Sequence, residues 1–404
     1  MTTCFKATAE SPTDHAKGVG RERPSDHPGR PKNIVNQNIN WDKLKRTAKK
    51  SALQEQEGGL SPEITNIAAI KKLKAIRKER VDAEVLVQRI IKGDKVALSR
   101  AITLIESTRK QHTEAAHTVI ESCLPYANTS VRIGITGVPG VGKSTFIEVF
   151  GTFLTALGKK VAVLAVDPSS SVSKGSILGD KTRMEALSKN TNAFIRPSPS
   201  GETLGGVARK TRETIILCEA CGFDTIIIET VGVGQSEMAV HSMVDFFLLL
   251  KLAGAGDELQ GIKRGIMEAA DAIVINKADG DNIKAARHAK TDFMRALHLY
   301  PPKENGWVPK VLTASATEKN GIQEIWELIE DYVQQHKGSG YFNRHRLQQN
   351  THWFLQAVEE ELKADFYQHP VVETELKQLL QAVENSKISP FAAARQLFSV
   401  YSRA

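Results

Sequence analysis

The sequence predicts a doubly wound α/β fold: a mostly parallel sheet covered on both faces by helices, with a helical segment before it and a helical arm after it. Three observations predict this. Seven short, near-continuous apolar runs are separated by stretches long enough for crossover helices, which is how parallel strands buried on both faces read. The first run leads into "GVPGVGKST" (137–145), a phosphate-loop pattern that belongs between a strand and a helix. On either side of this region the apolar residues recur at three- and four-residue intervals instead.

Taken in order, residues 1–60 are rich in Pro, Asn, Lys and Gln and read as a mostly disordered extension. They contain no apolar core of a secretory signal. Their first arginine is Arg21, preceded by Glu10 and Asp14, which is unlike a mitochondrial transit peptide. The expected location is therefore cytoplasmic in preference to the mitochondrial matrix. Residues 61–127 form a helical segment, in which "AEVLVQRIIKGDKVALSRAITLIES" has helical spacing broken at Gly93-Asp94. The nucleotide-binding domain is placed at 128–336. Its strands are "VRIGITG", "VAVLAVDP", "AFIRPSP", "TIIIET", "DFFLLLK", "AIVINKAD" and "PKVLTASA". "HKGSG" (336–340) reads as a hinge. Residues 341–404 form a helical arm with Trp353, Phe354, Leu355, Phe366, Tyr367 and Phe391, too apolar to stand free in water.

The net charge of +8 is local. Residues 1–80 hold 17 of the 54 basic residues and 9 of the 46 acidic ones, so the rest of the chain is neutral. That argues against a nucleic-acid-binding body, and "KLKRTAKK" and "KKLKAIRKER" read as a solvated tail and a charged helix face. No apolar run reaches membrane-spanning length. Four cysteines without regular spacing argue against a disulfide framework.

The phosphate loop assigns roles by its chemistry. Gly137, Val138, Pro139, Gly140, Val141 and Gly142 let backbone N–H groups wrap phosphates at a helix N-terminus. Lys143 reaches the β- and γ-phosphates, the Ser144 hydroxyl ligates Mg²⁺, and Thr145 completes the turn. "NKAD" (276–279) follows a later strand. Asn276 and Lys277 approach the base, while the Asp279 carboxylate can accept from guanine N1–H and its 2-amino group. Adenine lacks that pairing, so GTP is expected over ATP. Ser315, Ala316 and Thr317, at the next strand end, close over the base. Glu229 ends the strand "TIIIET" beside the phosphate loop, where a carboxylate can hold Mg²⁺ through water. Gly232 then offers an N–H to the γ-phosphate. Val233 follows it and cannot orient water, which predicts either slow intrinsic turnover or a water held by another group. The loop "VDPSSSVSKGSILGDKTRM" (166–184) supplies Asp167, Asp180 and Arg183, the last as a stabiliser of transition-state charge.

Together "GVPGVGKST", "VDPSS", "GSILGDKTRM", "RPSPSGETLGGVARKTRE", "ETVGVGQSE", "GAGDELQGIKRGIMEAAD" and "NKAD" resemble the methylmalonyl-CoA mutase-associated GTPases of the MeaB/ArgK type, in the SIMIBI class of P-loop GTPases. The resemblance runs from about Val85 to Trp353. It implies a homodimer that escorts or proofreads the adenosylcobalamin cofactor of an acyl-CoA mutase. It assigns Ser144, Asp167, Asp180 and Glu229 to Mg²⁺ and its waters; Lys143, Asp167, Arg183 and Glu229 are the residues expected to carry the catalysis of GTP hydrolysis. It also implies a partner-facing switch near Gly254–Met267, with Asp257, Gln260 and Lys263, and an arm that embraces the second subunit. Lys174 stands where the family usually has Gly, and Ala253 where it usually has Pro.

Two other classes remain open from the residues: a phosphotransferase acting on a protein or metabolite, and a nickel or cobalt metallochaperone that would use Cys218 and Cys221. The C-x-x-C pair lies at helical spacing, with no second pair and no His-rich tract, and reads better as core packing. His112 and His117 read as surface residues, His345 and His352 as arm residues.

Overall fold

The computed structural model describes residues 82–166, 184–197, 204–230, 236–254 and 264–402, and those from Asp82 onward belong to one compact unit. Three helices come first: α1 (Ala83–Ile91), α2 (Lys95–Ile105) and α3 (Lys110–Cys123). Asp82 and Asp94 cap α1 and α2 by accepting from backbone N–H groups two and three residues on. Gly93, at φ +83°, makes the turn between them, at the break the sequence predicts.

The sheet follows, with β1 (Val131–Gly137), β2 (Val161–Val166), β3 (Ala193–Arg196), β4 (Thr225–Thr230), β5 (Phe246–Leu252), β6 (Ala272–Asn276) and β7 (Lys310–Thr313). Every pairing is parallel, in the order β3-β2-β4-β1-β5-β6-β7. The chain winds one way from β1 and then the other, so β1 ends at the crevice where such sheets hold ligands. The connecting helices are α4 (Lys143–Ala156), α5 (Glu185–Ser188), α6 (Leu204–Ala220), α7 (Ser236–His241), α8 (Arg264–Ala269) and α9 (Ile283–Leu297).

Strand residues alternate between two cores. Ile133, Ile135, Val163, Ile227 and Leu248 pack against Phe146 and Phe150 of α4. Ala162, Leu164, Ile226, Ile228 and Phe247 pack against α6, with α1 and α2 beyond. At Gly134 an added Cβ would lie 2.8 Å from Phe247 and 3.1 Å from both Val240 and Val244. Only glycine lets α7 lie this close on β1.

The C-terminal helices are α10 (Ile322–Gly338), α11 (Tyr341–Gln368), α12 (Pro370–Glu384) and α13 (Pro390–Tyr401). The expected hinge over 336–340 is narrower: His336, Lys337 and Gly338 continue α10, and the bend is Ser339-Gly340, with Gly340 at φ +71°. Helix α10 does not stop earlier because His336 is buried and stacks on Tyr332 at 4.0 Å.

The first turns of α11 lie on the sheet's base. Arg346 Nε and Nη2 bind the two oxygens of Asp245 at 2.8 and 2.6 Å, and its guanidinium also donates to the carbonyls of Asn128 and Ser130. Beside it Arg132 makes a bidentate pair with Glu219 at 3.0 Å. Beyond Trp353, α11 leaves Phe354 (65%) and Leu362 (63%) exposed, and α13 leaves Phe391 (82%) and Phe398 (61%). No helix among the described residues is long and apolar enough to cross a membrane.

Candidate functional site

At the C-terminal edge of the sheet, the loop after β1 wraps into the first turn of α4. Gly142, at φ +95°, caps that helix, and a Cβ there would lie 2.9 Å from Asn276 Nδ2. Gly137 is equally constrained, since a Cβ would meet the Leu250 carbonyl oxygen at 2.6 Å. The Lys143 side chain is buried and folds back over the loop. Its Nζ donates to the carbonyls of Gly137 at 2.8 Å and Val138 at 3.3 Å. Burial pushes the Lys143 ammonium below its usual pKa, while the charges of Glu229 and Glu237 act in the other direction. Val138 is half-buried, Val141 is buried, and Pro139, Gly140 and Thr145 are exposed along the loop's outer side.

Glu229 is buried near the end of β4, in register with Ile135 of β1 and Ala165 of β2. One of its oxygens lies 3.2 Å from the Ser144 hydroxyl. The pairing of β1 with β4 thus brings together two residues 85 positions apart. A hydroxyl and a carboxylate side by side are hard oxygen donors, and this donor set fits Mg²⁺.

Asn276, Lys277 and Asp279 follow β6, and Ser315, Ala316 and Thr317 follow β7. The Asp279 carboxylate accepts from the hydroxyls of Ser315 at 2.5 Å and Thr317 at 2.9 Å, which hold its pKa below the usual carboxylate value. Ala316 is buried beneath them. Asn276 and Lys277 also do something their spacing did not reveal. Asn276 Nδ2 donates to the Val141 carbonyl and Lys277 Nζ to that of Gly140, both at 2.9 Å. The segment after β6 therefore ties down the phosphate loop. Asn276 Oδ1 is buried without a hydrogen-bond partner, and Lys277 sits at φ +56°. A positive φ at a lysine marks a constrained turn.

Glu237, buried in the first turn of α7, was not singled out by sequence reasoning. Its only signal is that it closes the run "ETVGVGQSE". Asp167, Asp180, Arg183 and Gly232 lie outside the described residues, as do Asp257, Gln260 and Lys263 of the expected partner switch. Cys218 and Cys221 are buried in the core around α6, and burial pushes the Cys221 thiol up to about 11. Such thiols are poor metal ligands. No group of three or more His, Cys, Asp or Glu among the described residues is placed to hold a metal ion.

Residues 98–370 match the family described as methylmalonyl Co-A mutase-associated GTPase MeaB. GTPase ArgK of Escherichia coli is 47% identical over 311 residues, covering 77% of this chain and 94% of that protein. The mitochondrial methylmalonic aciduria type A homolog of Mus musculus is 43% identical over 334 residues, 80% of each chain. A crystal structure titled as a LAO/AO transport system kinase is 40% identical with a TM-score of 0.64, covering 80% of this chain and 99% of that one.

Proposed function

The chain belongs to the methylmalonyl-CoA mutase-associated GTPases, and from that premise we propose that it is a Mg²⁺-dependent GTPase chaperone for an adenosylcobalamin-dependent acyl-CoA mutase. GTPase activity comes with the family; the site roles, the metal and the partner are our reading.

The observation that carries the site reading is the meeting of Lys143, Ser144 and Glu229 at the end of β1. On binding, the Lys143 ammonium leaves the Gly137 and Val138 carbonyls for the β- and γ-phosphates. The Ser144 hydroxyl and the Glu229 carboxylate hold Mg²⁺ and its waters, joined by Asp167 and Asp180. Mg²⁺, when bound, offsets the charge that builds on the phosphate oxygens. Backbone N–H groups of 137–145, Pro139 excepted, and of Gly232 orient the γ-phosphate. Asp279 accepts from guanine N1–H and the 2-amino group, and Ser315–Thr317 close over the base. Arg183 steadies the transition-state charge. Asn276 and Lys277, by tying the loop down, preorganise it and lower the entropy lost on binding.

The family description and the mouse relative's name support the mutase partnership. The exposed face of α11 and α13 supports a homodimer built on the arm. Asp257, Gln260 and Lys263 are proposed as the partner-facing switch. GTP turnover should be measured with and without an adenosylcobalamin-dependent acyl-CoA mutase, alongside the mutase's cofactor occupancy with GTP or GDP present. The mutase should change the turnover rate, and the nucleotide should change the occupancy. If neither moves, the chaperone role is wrong. Phosphate passed stoichiometrically to a protein or metabolite acceptor would point to a phosphotransferase instead.

A further inference from the structure

The starts of β5 and β6, at the end of the sheet away from the phosphate loop, open into a cavity of about 900 Å³. The seven residues of β5 put about 20 Å between the two places. The size is that of a small-molecule site. Rings of Phe247, Trp307, Tyr332 and Tyr341 line it. They are fixed by their neighbours: Trp307 and Tyr332 meet edge to face at 5.0 Å, and Tyr341 stacks on His345 at 5.5 Å. The wall is therefore preformed. Met238 (48% exposed) and Val308 (68%) add an apolar rim.

Charge in this cavity is one-sided. Among the described residues four carboxylates line it: Asp245, Glu268, Asp271 and Glu304. The chain neutralises two of them itself, Asp245 through Arg346 and Asp271 through Lys303 Nζ at 2.7 Å. Glu268 and Glu304 are exposed, and neither makes an ion pair among the described residues. His241 and His345 add no compensating charge at neutral pH, because burial pushes both imidazoles below their usual pKa. Burial first and the Asp271 charge second push the Tyr332 and Tyr341 phenols up, so both keep their protons. Among the described residues the lining holds one lysine, Lys303, which is already paired, and an exposed His298, so an anion entering here meets mostly carboxylates.

We propose that this cavity binds a small organic cation with a flat apolar body, of the aryl amidinium or guanidinium class. Ring faces attract a cation through their quadrupole, and the free carboxylates at the mouth supply the counter-charge. A neutral ring of the same shape would gain the walls but not the charge, and an anionic one would be repelled. None of these residues belongs to the nucleotide site, so the cavity stands apart from the function proposed above.

Three probes of one shape and different charge test this: benzamidinium, benzamide and benzoate. Each is titrated against the full chain saturated with GDP, by ligand-observed NMR. Benzamidinium should bind about tenfold more tightly than benzoate, with benzamide between them. Changing both Glu268→Gln and Glu304→Gln should weaken benzamidinium about fivefold and leave benzamide unchanged. Both positions are exposed, so the variant folds, and its GTP turnover should match wild type. Equal binding of the three probes, an unchanged benzamidinium affinity in the double variant, or displacement of GDP by benzamidinium would each overturn the proposal.

Discussion

At the base of the sheet Asp245 gives both oxygens to Arg346 and Glu219 gives both to Arg132. At the opposite edge, Lys143 rests on two backbone carbonyls and Asp279 on two hydroxyls. The same fold thus holds charge in two ways. At the base each charge meets its opposite in bidentate geometry and is cancelled. At the nucleotide edge Lys143 donates to backbone carbonyls and Asp279 accepts from hydroxyls, dipoles that satisfy hydrogen bonds without cancelling charge. On our reading, the base holds charge for architecture and the edge holds it for a ligand that replaces the dipoles.

The largest expected effect breaks the base. Arg346→Ala strands the Asp245 carboxylate, whose side chain is only 2% exposed. Unfolding free energy should fall by about 3–5 kcal/mol, read by urea denaturation. Molecules that remain folded should still bind GTP with wild-type affinity. Next comes Lys143→Ala at the edge. It should lower GTP turnover by about 100-fold or more, yet cost less stability than Arg346→Ala, because burial already penalises the Lys143 ammonium and its hydrogen bonds to Gly137 and Val138 go to backbone carbonyls. Equal loss of stability in the two variants would erase the distinction between the ends.

Asp279→Asn sharpens the edge further. It offers a donor where guanine needs an acceptor, and GTP affinity should fall by about 1.5–3 kcal/mol in calorimetric titration. Wild-type affinity in that variant would reject the base assignment. The smallest effect is a pH dependence at the base. His241 and His345 are held below the ordinary value of 6.5 by burial. The unfolded chain then takes up protons first, so stability is full above the unfolded pKa and falls as pH drops through 6.5 toward the folded values. The denaturation midpoint should decline between about pH 7.5 and about pH 5.5, by about 1 kcal/mol or less per histidine. His241→Asn should flatten that slope. A midpoint that rises on acidification would mean the imidazoles are charged in the folded state.

How much of this the sequence showed depends on the range of the interaction. The seven strands were legible because each is a local apolar run between breaks, and the all-parallel sheet supports the fold expected from them. Lys143 and Ser144 were legible through a contiguous motif, and Asp279 through a four-residue one. Glu229 was placed by its position at a strand end, yet its approach to Ser144 depends on the β1–β4 register, which no local pattern encodes. Asn276 and Lys277 were assigned to the base. Their grip on the phosphate-loop carbonyls comes from side chains crossing between loops 135 or more positions apart. Arg346 was invisible for the same reason, being 101 positions from Asp245 in a segment read only as an apolar arm. His345, read as an arm residue, lines the cavity under the sheet, because the first turns of α11 lie there and not in solvent. Of the arm's aromatics, Phe354, Tyr367 and Phe391 are exposed, whereas Trp353 packs against the sheet's core and Phe366 stacks on Phe398 within the arm, a covering that no local pattern showed.

The Arg346 cage has a consequence for how the chain is made. Synthesis runs from the N-terminus, so Asn128, Ser130 and Asp245 leave the ribosome long before the guanidinium that joins them. Until Arg346 emerges, the finished sheet would hold a buried carboxylate with no counter-charge, a state several kcal/mol less stable. The first turns of α11 therefore act as the closing clasp of the nucleotide-binding domain's own folding unit, and a boundary drawn between 336 and 341 cuts through it. Ribosome-bound chains halted before and after Arg346 has cleared the exit tunnel should differ sharply in resistance to a protease pulse. Equal resistance would show that the sheet closes without its clasp.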